Sequence, residues 1–350
     1  MLPKIQSISV KGKVIFVRTD TDVPISSDGT IDDETRLASA LPTLKYLLHH
    51  GASLLIAGHM GRPKGLKIKE LSLKPVAEWF SKELGFHSNI HAQKLHGFSG
   101  WKLHDRVFVL ENLRYYVGEE ANDRSFAKQL AELSDIYVND AFAVSHRSHA
   151  SIVGIPRFIR GYAGIHLQQE VETLGTILQH PKRPLVVIIG GAKIETKLPL
   201  VEKMHQIADY ILVGGKIAQE TRTLLHVQHE RFKGRKSILL IAELNEEQTD
   251  ITAKSVENFL QVVRVAQTIV WNGPVGKTNN LEQDTEFGTR ELAMGITHSG
   301  AHTIVGGGDT LGYLQKIRLL NKFDFVSTGG GAMLSFLSGE KLPGLEVLKK

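Results

Sequence analysis

Ten short runs of Val, Ile and Leu punctuate this chain, and what stands at the end of each run changes halfway along it. The first half has "VIFVRTD", "SLLIAGHMGRP", "RVFVLENLR" and "IYVNDAF". The second half has "LVVIIGGAK", "YILVGG", "SILLIAE", "TIVWNGP", "HTIVGGGDT" and "FDFVSTGGG". Runs of this length, bounded by glycine or polar residues, read as buried strands. Between them lie amphipathic stretches of helical period, such as "KPVAEWFSKELG" and "DRSFAKQLAEL". Continuous apolar strands alternating with helices predict parallel sheets covered on both faces. At 350 residues the chain exceeds what one core usually serves. The expected fold is therefore α/β: two doubly wound, Rossmann-like domains, with "AGIHLQQEVETLGTILQ" as the helix between them. The expected boundaries are 1–155, an interdomain helix over 156–180 with its hinge, and 181–338.

In open α/β sheets ligands bind beyond the carboxyl ends of the strands. The first-half strands run into Arg18 and Asp20, His59 and Arg62, Glu111 and Arg114, then Asn139, Asp140, His146 and Arg147. Arginines and histidines gathered there suit a small polyanion held by charge-assisted hydrogen bonds. The second-half strands run into Gly190-Gly191, Gly214-Gly215, Gly273-Pro274, Gly306-Gly307-Gly308 and Gly329-Gly330-Gly331. Glycines between a strand and a helix let backbone N–H groups and the positive end of the helix dipole approach phosphate oxygens. In "GGGDT" the carboxylate of Asp309 can hold the Mg²⁺ of a phosphate chain, or it can simply sit near a helix N-cap.

Other chemistries lose ground. "GGAKIETK" puts Lys193 and Lys197 four apart at the start of a helix, either on a phosphate or on a solvated face, and it lacks Walker A spacing. Neither glycine cluster matches the G-x-G-x-x-G of dinucleotide-binding domains, which disfavours hydride transfer. His146 and His149 in "VSHRSHAS" have cationic neighbours and no carboxylates to complete a zinc site, so an anion-binding loop fits better. With no cysteine, disulfides and thiolate chemistry are excluded. Lys and Arg outnumber Asp and Glu, 42 to 37, which suits an anionic partner without naming it. Aromatic residues make up 7%, and no basic–aromatic interleaving supports base stacking on nucleic acid. No run approaches a membrane span, and "MLPKIQSISVKGK" lacks the apolar region of a signal peptide, so a cytoplasmic protein is expected.

Taken in order, "VRTDTDVP", "DDETRL", "GHMGRP", "ENLRYY", "VNDAFAVSHRSHAS", "GGAKIETK", "WNGPVG", "IVGGGDT", "VSTGGGA" and "KLPG" resemble the phosphoglycerate kinases from Val14 to Gly344. The resemblance implies reversible Mg²⁺-dependent transfer of the acyl phosphate of 1,3-bisphosphoglycerate to ADP, giving 3-phosphoglycerate and ATP, by a hinge-bending cytoplasmic monomer of glycolysis. It places the glycerate on the N-terminal domain, with residues 339–350 packing back on it, and the nucleotide on the C-terminal domain. Glycerate contacts would come from Asp20, Asp22, Arg36, His59, Arg62, Arg114, His146 and Arg147. Nucleotide contacts would come from Lys197, Gly214, Asn272, Pro274, Asn279, Gly307, Gly308, Asp309 and Thr310, with Asp309 on Mg²⁺. Arg36, Lys193 and the amides at Gly307, Gly308, Gly329 and Gly330 would face the transferred group.

Three features depart from the family pattern. Asp22 replaces the usual asparagine and Thr21 the usual phenylalanine, which adds a negative charge beside an anionic substrate. Asn279 stands where the family has the glutamate that binds ribose, with Glu282 nearby. The interval from Gly215 to Trp271 is short, with a deletion expected around 218–240 on the adenine side, which opens the question of base specificity. These departures favour an alternative, a non-catalytic relative that binds a phosphorylated ligand, and the retained arginines, lysines and Asp309 oppose it.

Overall fold

The computed structural model describes residues 2–86, 89–192, 194–219, 221–222, 237–278 and 286–349. The chain divides into two compact units, Met1–Glu172 with Lys341–Lys350, and Thr173–Glu340. No helix among the described residues is long and apolar enough to cross a membrane.

The first unit is built on seven strands in the order β3-β4-β5-β2-β1-β6-β7. They are β1 (Val14–Arg18), β2 (Ser53–Ala57), β3 (His91–Leu95), β4 (Phe98–His104), β5 (Val107–Leu110), β6 (Ile136–Asn139) and β7 (Gly161–Ala163). β5, β2, β1, β6 and β7 run parallel. β3 and β4 form an antiparallel edge, so this sheet is not parallel throughout. Inward-facing Ile15, Val17, Leu54, Ile56, Val107 and Val109 pack on Leu37, Ala40, Leu44 and Leu47 of helix α1 (Thr35–His49) and on Val76, Ala77 and Phe80 of α2 (Lys74–Glu83). Those spacings put one apolar stripe of each helix on the sheet. Each buried Val, Leu, Ile or Phe side chain among them contributes about 1.5–3 kcal/mol by leaving water.

A further helix, α3 (Arg124–Ala131), is capped by Asp123, whose carboxylate accepts the Phe126 N–H at 2.7 Å. The helix that leaves the first unit, α4, spans Ile165–Gln179. It is shorter than the 156–180 expected, because residues 150–157 form tight helical turns and Gly161–Ala163 is the edge strand β7. Its start is fixed from outside: the Asp140 carboxylate, just past β6, accepts the Leu167 N–H at 3.1 Å, and Thr43 Oγ1 accepts the Ile165 N–H at 2.8 Å. A β-carbon on Gly164 would stand 2.2 Å from the Asp140 carboxylate, so only glycine admits this cap.

The second unit has six parallel strands in the order β10-β9-β8-β11-β12-β13. They are β8 (Leu185–Ile189), β9 (Tyr210–Val213), β10 (Ile238–Ile241), β11 (Thr268–Asn272), β12 (His302–Gly306) and β13 (Phe325–Ser327). Counted within the unit this is the order 3-2-1-4-5-6, whose direction reverses between β8 and β11. Val186, Ile188, Ile269 and Trp271 pack against Val256 and Phe259 of α6 (Ala253–Val263) and Leu292 and Ile296 of α7 (Phe287–Thr297). The remaining helices are α5 (Ile194–Met204), α8 (Gly308–Lys316) and α9 (Gly331–Leu337).

Candidate functional sites

In the first unit the sheet reverses direction between β1 and β6, and the side chains beyond those ends form a buried charged network. Arg18, at the end of β1, is wholly inaccessible; its Nε donates to Ser151 Oγ at 2.9 Å, and one terminal nitrogen lies 3.0 Å from His59 Nδ1. A guanidinium can only donate, so Nδ1 accepts and the His59 proton sits on Nε2. That nitrogen faces Asp22 Oδ2 at 3.7 Å. Burial, followed by the charges of Arg18, Arg114 and Arg147, holds His59 well below the usual imidazole range, and it is neutral at pH 7.

Asp22, the departure from the family pattern, is therefore not an isolated extra charge. Its Oδ1 accepts the Gly61 N–H at 2.8 Å, and its backbone carbonyl accepts from Arg36 at 2.6 Å. Arg36 Nε also lies 3.5 Å from Asp20, whose pKa burial raises against the pull of Arg36. Arg114 donates to the Gly61 carbonyl at 2.5 Å, while its other terminal nitrogen is buried without a hydrogen-bond partner. Burial, then Arg147, brings the Arg114 pKa down to about 10. Arg147 donates to His146 at 3.4 Å. Arg62 stands apart from this network: it is exposed and makes no hydrogen bond or ion pair among the described residues.

Glu119 and Ser151 take part although nothing in the motifs pointed to their roles. Glu119 is fully buried, accepts the Ser151 N–H at 2.9 Å and the Ser151 hydroxyl at 2.5 Å, and lies 4.0 Å from His149. Burial raises its pKa while Arg18 opposes the rise. Burial, then Arg114 and Arg147, push the His149 pKa down to about 4. Among the described residues no group of three or more His, Asp or Glu could hold a metal. Arg18 and Arg147 stand close enough to Arg114 to repel its charge, a repulsion that a polyanion would relieve.

In the second unit the switch point between β8 and β11 carries the glycine turns. Gly190 and Gly273 meet back to back: a β-carbon on either would stand 2.2 Å from backbone oxygen of the facing segment. Gly191 N–H donates to the Pro274 carbonyl at 2.8 Å, and Gly214 leaves no room for a side chain beside Val275. Lys197 is buried rather than solvated; its ammonium donates to the Asn272 carbonyl at 3.1 Å and to the Asn272 side-chain oxygen. Thr310 is fully buried, and its hydroxyl oxygen accepts the Gly273 N–H at 3.1 Å.

Asp123 caps α3 and Thr252 caps α6 through their side chains, whereas α1, α2 and α7 have no side-chain cap. At α8 and α9 the caps are Gly307, with φ 98°, and Gly330, with φ 43°, and neither start has a side-chain cap bond. Gly308 and Gly330 face open space. The first-turn N–H groups of α8 thus remain available to an anion. Asp309 is exposed in that first turn and lines a cavity of about 290 Å³ together with Gly191, Gly215, Lys216, Leu244 and Pro274. Lys193, Asn279 and Glu282 lie outside the described residues, as does most of the 218–240 interval.

Two doubly wound units, one whose strands end in arginines and the other in glycine turns and a carboxylate, define a phosphotransferase that handles two anionic substrates. The phosphoglycerate kinase family model matches residues 5–230 and 221–340. The phosphoglycerate kinase of Dictyoglomus turgidum is 37% identical over 388 residues, covering 97% of this chain and 96% of that one. That of Desulforudis audaxviator is 36% identical over 393 residues, covering 100% of both. Among solved structures, phosphoglycerate kinase from Coxiella burnetii superposes with a TM-score of 0.81 at 31% identity, over 100% of this chain and 99% of its own. The enzyme from Pyrococcus horikoshii gives 0.80 at 28% identity, over 99% and 98%. This chain belongs to the phosphoglycerate kinase family.

Proposed function

We infer that this chain is a working phosphoglycerate kinase. In the ATP-consuming direction a carboxylate oxygen of 3-phosphoglycerate attacks the γ-phosphorus of ATP, the bond to the β,γ-bridging oxygen breaks, and its electron pair leaves with ADP. The attacking carboxylate is ionised at neutral pH, so no general base is needed. What remains is positioning and neutralising charge on the equatorial oxygens. The observation that carries the reading is the mutually repelling set Arg18, Arg114 and Arg147 around neutral His59 and His149, a preformed seat for a polyanion.

Arg36, His59, Arg114 and Arg147 would hold the glycerate phosphate and carboxylate, with Asp20 and Asp22 orienting Arg36, and Arg62 and His146 at the rim. Lys197, Thr310 and the α8 amides would hold nucleotide phosphates, Gly214, Asn272, Pro274 and Gly308 would shape the pocket wall, and Gly307 and Gly330 would offer amides to the transferred group. Asp309 is exposed in the pocket lining, which fits a Mg²⁺ bound mainly through phosphate oxygens with one carboxylate. When bound, that ion would neutralise phosphate charge. The assignments of Lys193 to the transferred phosphoryl group and Asn279 to the ribose rest on sequence resemblance. We take the enzyme to act as a cytoplasmic monomer on 3-phosphoglycerate or 1,3-bisphosphoglycerate and ATP or ADP, with no nucleic-acid or membrane partner.

The non-catalytic alternative is not favoured by the family match, and of its three supports Asp22 is held by Gly61 N–H and faces His59. The test is coupled turnover of 3-phosphoglycerate with ATP, with and without Mg²⁺. Mg²⁺-dependent turnover is expected; a folded protein that binds 3-phosphoglycerate and shows no turnover would return the chain to the ligand-binding reading.

A further inference from the structure

The nucleotide-side cavity has two ends. Asp309 follows β12, whereas Leu244, Gln248 and Thr249 follow β10, four strands away in the sheet order. Strand spacing of about 4.8 Å separates the two ends by roughly 19 Å at the level of the sheet, on the scale of a nucleoside polyphosphate. With the phosphates at Asp309 and the α8 amides, the base falls to the β10 end.

That end is a braced turn. Leu244 bridges Ile251, and the Asn245 N–H donates to the Asp250 carbonyl at 2.9 Å. Asn245 Oδ1 accepts from Thr249 N–H at 2.8 Å and from Asp250 N–H at 3.2 Å, and its amide donates to the Thr249 hydroxyl at 3.0 Å. The Thr249 carbonyl accepts the Lys277 N–H at 2.8 Å, and Asp250 Oδ2 accepts the Gly288 N–H at 2.8 Å. Between these braces Gln248 is held at φ 53°, a left-handed conformation that non-glycine residues adopt at a cost. Its side chain is exposed, lines the cavity, and makes no hydrogen bond among the described residues. Every other polar side chain of the turn from Asn245 to Asp250, apart from the exposed Glu246 and Glu247, is engaged in bracing it.

We propose that Gln248 reads the base: its side-chain amide hydrogen-bonds the edge of a purine whose faces are covered by Leu244 and Pro274. The inference rests on the nucleotide reading of this cavity. A glutamine amide carries a donor and an acceptor side by side, and a half-turn about its terminal bond exchanges them. Adenine offers an amino donor beside a ring-nitrogen acceptor, and guanine offers a carbonyl acceptor beside a ring N–H donor. One amide therefore serves both, so this pocket accepts ATP and GTP alike and disfavours a purine that lacks the exocyclic group.

Calorimetric binding of ADP, GDP and purine riboside 5′-diphosphate to the whole chain tests this without turnover. Wild-type protein should bind ADP and GDP within about threefold of each other and purine riboside diphosphate about three- to tenfold more weakly, the worth of one neutral hydrogen bond. Gln248→Leu should bind all three with equal, weakened affinity. Gln248→Gly, which suits the positive φ and protects folding, should lose the same discrimination. A leucine or glycine variant that keeps the wild-type preference over purine riboside diphosphate overturns the assignment while leaving the nucleotide reading intact. Failure of the wild-type protein to bind ADP at all overturns both.

Discussion

Asp140 caps helix α4 from a wholly buried position, and burial, opposed first by the Thr43 hydroxyl and then by the helix N–H donors, pushes its pKa up to about 7. Replacing it by asparagine keeps an acceptor for the Leu167 N–H and removes the titration. In the unfolded chain the carboxyl ionises near the ordinary aspartate value of 3.8. Between that value and 7 the folded state holds a proton that the unfolded state has lost, so stability falls as pH rises across this window. Three units at about 1.4 kcal/mol each give a fall of about 4 kcal/mol, an order-of-magnitude figure. Asp140 Oδ2 is buried without a hydrogen-bond partner, so the asparagine N–H₂ also lacks an acceptor there, which costs about 1–3 kcal/mol at every pH. The measurement is urea unfolding of wild type and Asp140→Asn at pH 5, 6, 7 and 8. Titrations shared by the two proteins cancel in the difference. Relative to wild type, Asp140→Asn should gain about 3 kcal/mol between pH 5 and 8, the two units from pH 5 to the folded pKa of about 7. A difference that stays flat within about 1 kcal/mol over that range would refute a perturbed Asp140, and a trend of opposite sign would mean that the α4 amides stabilise the anion more than burial disfavours it.

Other predictions concern the two sites and the fold's response to acid. The guanidinium cluster should make 3-phosphoglycerate strongly stabilising: at a hundredfold excess over Kd the gain is about 2.7 kcal/mol, read as a rise in Tm, and Arg114→Met should abolish it. Gly190→Ala drives a methyl group into the backbone of Gly273 and Pro274, costing about 1–3 kcal/mol or more; ADP should lose its effect on Tm while 3-phosphoglycerate keeps its own. Burial first, and then cationic neighbours for two of them, depress His59, His149 and His166, the last two to about 4. The unfolded chain therefore binds protons that the folded one refuses, and stability should fall as pH drops from about 6.5 toward 4; replacing His166 by glutamine should flatten that acid limb in urea titrations.

The strands that position both sites could be read from the sequence because their apolar runs are buried on both faces of parallel sheets, as in "LVVIIGG" and "VIFVRTD". The strand His91–Leu95 could not: four of its five residues are exposed at a sheet edge, so "HAQKL" carries no apolar pattern. The glycine turns were legible in the sequence, yet the burial of Lys197 against Asn272 depends on a partner 75 residues away. Glu119 and Ser151 were invisible for the same reason, joined across 32 residues by folding. The accommodation of Asp22 was equally beyond reach, since its partner is a backbone N–H at Gly61, and a main-chain donor leaves no mark in a sequence.

The last residues of the chain return to the first unit. The Gly344 N–H donates to the Ser145 carbonyl at 2.9 Å, the Gly344 carbonyl accepts from Asn139 at 3.4 Å, and Leu345 and Leu348 are buried. On a ribosome, residues 173–340 must all be made before this segment exists. At about 5–20 residues per second that is a wait of roughly ten to thirty seconds. The unit that is translated first is thus the last to be finished, and during the wait it carries an open apolar seat beside Asn139 and Ser145. A nascent chain stalled at residue 340 should show protease-sensitive cleavage near that seat, and a synthetic peptide of residues 341–350 should suppress it. For this fold the order of translation and the order of completion run in opposite directions.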